Sequence, residues 1–401
     1  MASISSFKAS KPIFLEVNEE DKQKLEKWNT IRTAISQIEQ LPASHLSERK
    51  IRSLEISTQI DELGPFFEKY PLLLKDYFKT SKILFRLINS QEKPIENAAK
   101  IYFEKLFAEN NIKIQKINFS SKPGGIQLGR KMLIEYSKEN PQEIRKITYF
   151  IKTHQFGSKS GQCSTRPIDP KEIFVYKMLE YIGLGPKAHF FFNLLSQGGL
   201  YIATQDAGYS KSSEKQKAKQ FKTYELLKKE LQNPPTQEVM KCLTQADIIS
   251  RIFSLRDVTI NDTNFGLVQT HEKNKCKIVD FRIETQNSYE YIDIFKGYLD
   301  GNGLFNYCDE LLIYILKTRS KIDRVRTADE ILKELASGGK RLPLASALEK
   351  ACKETVEYFN ANNTLLGKGL TDDPKEDFNM YVKSIQTNFA KFLLGVQNNL
   401  P

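Results

Sequence analysis

Apolar residues early in the chain recur at the spacing of an α-helix. Leu25, Trp28, Ile31, Ile35 and Ile38 lie three or four positions apart, and the pattern returns over 72–87 and 95–107. It predicts an N-terminal helical block over residues 1–110. After Asn110 the texture changes to alternating, β-favouring residues, which predict strands over 112–119, 131–136 and 147–151. Between the first two, Ser120-Ser-Lys-Pro-Gly-Gly-Ile-Gln-Leu-Gly129 reads as a hairpin with a glycine-bearing tip. The run 169–186 has an Asp cap, Pro in the first turn and a Gly-Leu-Gly-Pro stop, the signals of a helix. Strands over 188–192 and 199–204 follow. Sequence-adjacent antiparallel strands with one packed helix make an α+β unit. From Thr236 onward the periodicity is helical, notably over 306–317, 328–336, 344–358 and 377–394, apart from a strand pair that carries Asn264 and Asp280.

Composition narrows the partners more than the fold. The 401 residues carry a formal net charge of +11, which favours an anionic partner such as a nucleotide, nucleic acid, inositol phosphate or anionic lipid. The bland alternative is a solvated basic surface. Two clusters concentrate the charge: Lys211, Lys215, Lys217, Lys219, Lys222, Lys228 and Lys229, then Lys317, Arg319, Lys321, Arg324 and Arg326. Aromatic residues are not interleaved with the lysines, which argues against single-stranded nucleic acid. A compact inositol polyphosphate or an anionic lipid headgroup suits such density better. The five cysteines and four histidines are scattered, so neither a disulfide framework nor a structural zinc site is expected, and a reducing compartment is. No apolar run approaches the roughly 18–20 residues that span a bilayer, and no secretory signal is evident at the N-terminus.

The chemistry concentrates in Ser254-Leu-Arg-Asp-Val-Thr-Ile-Asn-Asp-Thr-Asn-Phe-Gly-Leu-Val268 and Lys275-Cys-Lys-Ile-Val-Asp-Phe-Arg-Ile-Glu284. An aspartate such as Asp257 can position a substrate hydroxyl. The amide oxygen of Asn264 and the carboxylate of Asp280 can hold magnesium on nucleotide phosphates. The competing reading of Asn261 to Asn264 is a turn in which polar side chains bond their own backbone.

The order of an acidic loop, a strand led by Asn264, a polar turn and a second strand ending in Val-Asp-Phe resembles the protein kinase superfamily. The resemblance covers about residues 110–310. It implies a bilobal kinase-like fold of the α+β class with a shortened large lobe between N- and C-terminal helical blocks. The divisions it suggests are 1–110, 111–208 for the small lobe, 209–325 for the abridged large lobe, and 326–401. It further implies that Lys152, ending the third strand, holds ATP phosphates and pairs with Glu172, with Glu180 as substitute. Glu172 also fits a capping box with Asp169. Gly124 and Gly125 would approach the phosphates, the backbone around Gln205 would meet the adenine, and Asn264 and Asp280 would hold Mg2+ or Mn2+.

The match departs from the family in three places. Leu255-Arg256-Asp257 has leucine where the family has histidine. Asn264 follows Asp257 by seven residues rather than five, which leaves Asp262 as the alternative catalytic aspartate. Arg282 stands where a glycine is usual, and no Ala-Pro-Glu follows, so control by activation-loop phosphorylation is not expected.

The texture is similar to that of effector kinases which intracellular bacteria inject into host cells, and the acidic patch 372–377 is similar to their translocation signals. The expectation is therefore a monomeric Ser/Thr protein kinase that autophosphorylates, uses ATP and magnesium, and acts on an unidentified host protein in host cytoplasm, in part at membrane surfaces. An inositol polyphosphate such as inositol hexakisphosphate would activate it at the Lys/Arg clusters. Rival readings are a lipid or small-molecule kinase, and a non-enzymatic polyanion- or membrane-binding module on a kinase scaffold.

Overall fold

The computed structural model describes residues 17–40, 63–70, 92–122, 129–137, 143–154, 168–192, 200–208, 221–230, 236–255, 257–261, 263–268, 274–283, 294–300, 319–339, 341–362 and 372–401, with scattered helical positions between 52 and 84. The architecture is α+β. Among the described residues no helix is long and apolar enough to cross a membrane.

The early apolar stripe builds α1 (Glu19–Gln40), whose Trp28, Ile31, Ile35 and Ile38 bury against the short α2 (Gly64–Lys69) and neighbouring positions. Trp28 meets Phe67 edge-on at 4.8 Å, and its indole N–H reaches Asp76 Oδ2 at 3.2 Å. The next helix, α3 (Glu92–Glu109), belongs to a different core. Its Ile95, Ala99, Phe103 and Phe107 pack with Met132, Ile134, Tyr149 and Tyr201 of the adjacent sheet.

That sheet contains β1 (Lys113–Ser121), β2 (Gly129–Ser137), β3 (Arg145–Thr153), β4 (Ala188–Phe192) and β5 (Leu200–Gln205). The spatial order is β1-β2-β3-β5-β4, and every pairing is antiparallel. Inserted between β3 and β4 is α4 (Pro170–Tyr181), which starts where Asp169 accepts from the Lys171 N–H at 2.9 Å. It stops at a turn in which Gly183 adopts a φ of +79°, a conformation that disfavours any side chain there. Leu184 N–H and Gly185 N–H both return to the Leu179 carbonyl and close the helix.

A second, three-stranded sheet has the order β6-β7-β8, from β6 (Phe221–Thr223), β7 (Phe265–Val268) and β8 (Lys275–Ile278). Around it lie α5 (Tyr224–Glu230), α6 (Gln237–Ile252), α7 (Asp257–Ile260), α8 (Ile294–Leu299), α9 (Lys321–Ser337), α10 (Leu344–Ala361) and α11 (Asp372–Gln397). One apolar core runs from α4 through α6 and the β7–β8 hairpin into α9, α10 and α11. The C-terminal helices therefore share their core with the segment carrying Asn264 and Asp280. They do not form a separate block.

Two histidines are buried at the five-stranded sheet. His189 on β4 lies under α3, its Nδ1 3.2 Å from the Tyr102 hydroxyl, and His154 follows β3 with its backbone N–H on the Leu200 carbonyl. Burial pushes the His154 imidazole down to about 4 and that of His189 to about 3. Both folded values lie below the unfolded value, so neutral histidine stabilises the fold fully above about pH 6.5 and the contribution is lost as pH falls below that. From about pH 7 to about pH 5 the two groups together should remove about 4 kcal/mol of unfolding free energy. Urea melts at both pH values should show this, and His189→Phe should remove about half of the difference.

Candidate functional site

The candidate site is assembled by three elements that meet at one ammonium group. Lys152 is on β3, between Gly129 of β2 and Ile202 of β5 in the sheet register, so its backbone is paired on both flanks. Its Nζ lies 2.7 Å from Asp280 Oδ1 and 3.2 Å from Glu172 Oε1, and 5.3 Å from the centre of the Tyr176 ring. The Glu172 contact is an ion pair of charge and distance. Burial alone works against the charge on Lys152, but Asp280 and Glu172 outweigh it and hold the ammonium well above the usual lysine value. For Asp280, burial would raise the carboxyl, yet Lys152, helped by Lys122, brings it below the usual range.

The competing roles of the two glutamates separate cleanly. Asp169 caps α4 through the Lys171 N–H, and Glu172 points its carboxylate to Lys152. Glu180 is occupied elsewhere, accepting from the Ala188 N–H at 3.2 Å where β4 begins.

Asp280 leaves β8 after Val279 and is fixed by its neighbours. Its Oδ1 accepts from the Phe281 N–H at 3.0 Å, and Phe281 buries its ring 4.5 Å from that of Tyr176, under α4. The Asp280 side chain is 39% exposed while that of Glu172 is 1% exposed. The first can face a ligand, and the second can only serve Lys152. Arg282 has no positive φ; among the described residues only Asn111 and Ser254 do so without being glycine.

Ser254, at φ 53° and fully buried, ends α6 and turns the chain toward Asp257. A left-handed serine is a strained choice, and it sits where the site needs a sharp change of direction. A bridge between Leu255 and Ile283 ties this turn to the segment after Asp280. The long spacing between Asp257 and Asn264 is absorbed by α7 and by a turn in which Asn261 Oδ1 accepts from Thr263 N–H and Oγ1 at 3.2 and 2.7 Å. The turn reading of this polar run is therefore realised. Asn264 Nδ2 reaches back to the Asp257 carbonyl at 3.0 Å, and the Asn264 carbonyl accepts from Val279 and Asp280 N–H at 2.8 and 3.3 Å. This commits the NH2 of Asn264 and leaves Oδ1, an acceptor, as the amide atom a cation could use. Asp257 stands half-buried at the start of α7.

Gln205 ends β5, but its N–H goes to the Lys187 carbonyl at 2.8 Å and that of Asp206 to the Thr148 carbonyl at 2.9 Å. Neither amide is available to donate to a nucleobase, so a base at this edge would have to use other backbone atoms. Gly124, Gly125 and Asp262 lie outside the described residues, as do Lys211, Lys215, Lys217, Lys219 and Lys317. The second basic cluster is dispersed. Arg324 is buried with its carbonyl accepting from Tyr298 OH, Lys321 reaches Asp300, Arg319 donates to Thr327, and Arg326 is exposed. Sequence reasoning did not anticipate Tyr176 or Lys277. Lys277, mostly buried in β8, donates to the carbonyls of Gly183 and Gly185 at 2.7 and 3.0 Å and so ties the turn after α4 to the strand leading into Asp280. Its one signal in the chain was a charged residue between two apolar ones in a strand.

No family model matches the chain, and no curated protein matches it. Among the described residues no group of three or more His, Cys, Asp or Glu could hold a metal ion. Asp280 and Asn264 would offer a divalent cation two oxygen donors, with its remaining ligands from phosphate and water, the mode usual for magnesium.

Replacing Lys152 by Met should strand the buried Glu172 carboxylate, at a cost of about 3 kcal/mol at neutral pH. Adding Glu172→Gln should recover part of the loss, because an amide tolerates burial better than an unpaired charge. Chemical denaturation of wild type, single and double variants measures both steps.

Proposed function

We propose that the chain is an ATP- and magnesium-dependent protein kinase that transfers phosphate to serine or threonine hydroxyls, built as a bilobal, remotely kinase-like fold. The observation that carries this reading is the Lys152 ammonium held between Glu172 of α4 and Asp280 after β8, with Asn264 bonded to the Asp280 backbone. The five-stranded antiparallel sheet with α4 between its third and fourth strands supports the same reading, because it is the order expected of a kinase small lobe.

The division of labour follows from burial. Glu172 is shut away from solvent and sets the position of Lys152, whose ammonium can then exchange Asp280 for phosphate oxygens of a nucleotide. Asp280, half-exposed and kept ionised by Lys152, together with Asn264 Oδ1, offers the oxygen atoms that would hold magnesium. When bound, the cation would neutralise charge on the transferring phosphate. Asp257, at the start of α7 with its carbonyl tied to Asn264, orients the acceptor hydroxyl and takes up its proton, and Asp262 competes for that role. Activation by a polyanion such as inositol hexakisphosphate would fall to the lysine-rich run 211–229, since the cluster 317–326 is dispersed, and the acceptor is an unidentified host protein.

The purified protein should label itself from γ-labelled ATP in magnesium, and Asp280→Ala should reduce the rate by about 10³-fold or more. Persistence of full labelling in Asp280→Ala would sink the assignment of that residue. Labelling of a lipid alone would favour a lipid kinase, and no transfer with or without inositol hexakisphosphate would favour a binding module.

A further inference from the structure

Helix α4 has no solvent-facing stripe of the usual kind. Ile173, Phe174, Val175, Tyr176, Met178 and Leu179 are all at most 1% exposed, and even Lys171 and Glu172 are buried. A helix of twelve residues carried on the edge of a small sheet would normally leave one face in water. Here that face is covered by the two last helices of the same chain.

Two of the covering contacts are ionic. Lys171 Nζ pairs with Asp377 in the early turns of α11 and lies 3.5 Å from its own cap residue Asp169. At the other end of α4, Glu354 of α10 accepts from Lys177 Nζ at 2.6 Å and from Tyr181 OH at 2.5 Å. Between them the contact is aromatic, with Phe174 edge-on to Phe378 at 5.5 Å and to Tyr381 at 6.2 Å. The same helix α11 also holds the second half of the site. Tyr381 OH donates to the Phe253 carbonyl at 2.6 Å, and Asn388 Nδ2 to the Ile252 carbonyl at 3.3 Å, just before the Ser254 turn that launches Asp257.

We infer that α10 and α11 form a built-in clamp that keeps Glu172 against Lys152, with Glu354, Asp377 and Tyr381 as positioning residues. The inference rests on the phosphotransfer reading of the site and adds how that site is kept competent. The clamp fixes the helix that carries Glu172 and the turn that precedes Asp257 from one rigid support. Competence then requires neither a covalent modification of the segment behind Asp280 nor a second chain to seat α4. The distance along the chain makes the point: Lys171 and Asp377 are 206 positions apart.

The test uses the full chain and near-isosteric changes that remove charge or a single hydroxyl without opening a cavity. Asp377→Asn with Glu354→Gln forms one variant and Tyr381→Phe a second. Each is measured for kcat and for KM of ATP in the wild-type background and again beside Glu172→Ala. Misplacing a reactive group by a fraction of an ångström to an ångström slows chemistry by about 10- to 100-fold, so kcat should fall by about tenfold or more with a smaller change in KM. In the Glu172→Ala background the charge-removed variant should cost less than about twofold, because the contact it supports is already gone, whereas Tyr381→Phe, which loosens the Ser254 turn, should keep its loss. Equal losses of the charge-removed variant in both backgrounds, or unchanged kcat of either variant in the wild-type background, would overturn the clamp. Should the wild-type protein transfer no phosphate at all, the phosphotransfer reading falls, and amide hydrogen exchange over 173–181 decides the clamp by itself. Exchange about tenfold faster in the charge-removed variant supports it, and identical exchange refutes it.

Discussion

Everything at the centre of this protein depends on burying one ammonium group between two carboxylates. Lys152 comes from a strand, Glu172 from a helix and Asp280 from the exit of a second sheet, and none of the three is close to another in the chain. Burying a charge is costly unless it is paired, so the folded chain cannot place Lys152 where it is without bringing the other two to it. The ion contact thus ties the five-stranded sheet, α4 and the β7–β8 hairpin into one arrangement. Because Glu172 is enclosed and Asp280 is not, the contact is asymmetric: an enclosed partner on one side and a part-exposed one on the other.

The surroundings serve to keep that asymmetry. Phe281 packs on Tyr176 and anchors the residue next to Asp280 under α4. Lys277 spends its hydrogen bonds on the carbonyls of Gly183 and Gly185, while the Ile278 N–H donates to the Leu184 carbonyl at 2.7 Å. The turn that ends α4 is therefore stitched to the strand that delivers Asp280. Covered on its remaining side by α10 and α11, α4 is gripped from every direction, and its low amphipathicity is a consequence of that enclosure.

Much of the five-stranded sheet was legible in the chain. Alternation over 131–136 and 147–151 falls inside β2 and β3, and the Asp169 cap and the Gly183 stop bound α4 as expected. These are local signals, carried by side-chain alternation and by residues whose backbone preferences act within a few positions. The pairing of Lys152 with Glu172 rather than Glu180 was less legible, since Asp169 and Glu172 spell a capping box as well as an ion pair. What separated the two was Ala188, whose N–H occupies Glu180. The three residues of β6 gave no pattern of their own, because a strand that short is defined by its partner β7. The basic residues from Arg319 to Arg326 read as one patch, yet a helix distributes such positions around its axis, and Arg324 faces inward.

The sequence by itself determined most of the described elements and the residue types that offer oxygen donors and cationic groups, since periodicity, caps and side-chain chemistry are properties of neighbouring residues. Tertiary structure alone decided which charges meet. It set Asp280 on Lys152 across 128 positions, brought Asn264 back to the Asp257 carbonyl, and laid α11 over α4. The physical reason is that a buried charge is stable only beside its counter-charge, and which counter-charge arrives depends on the packing of the whole core rather than on any local preference.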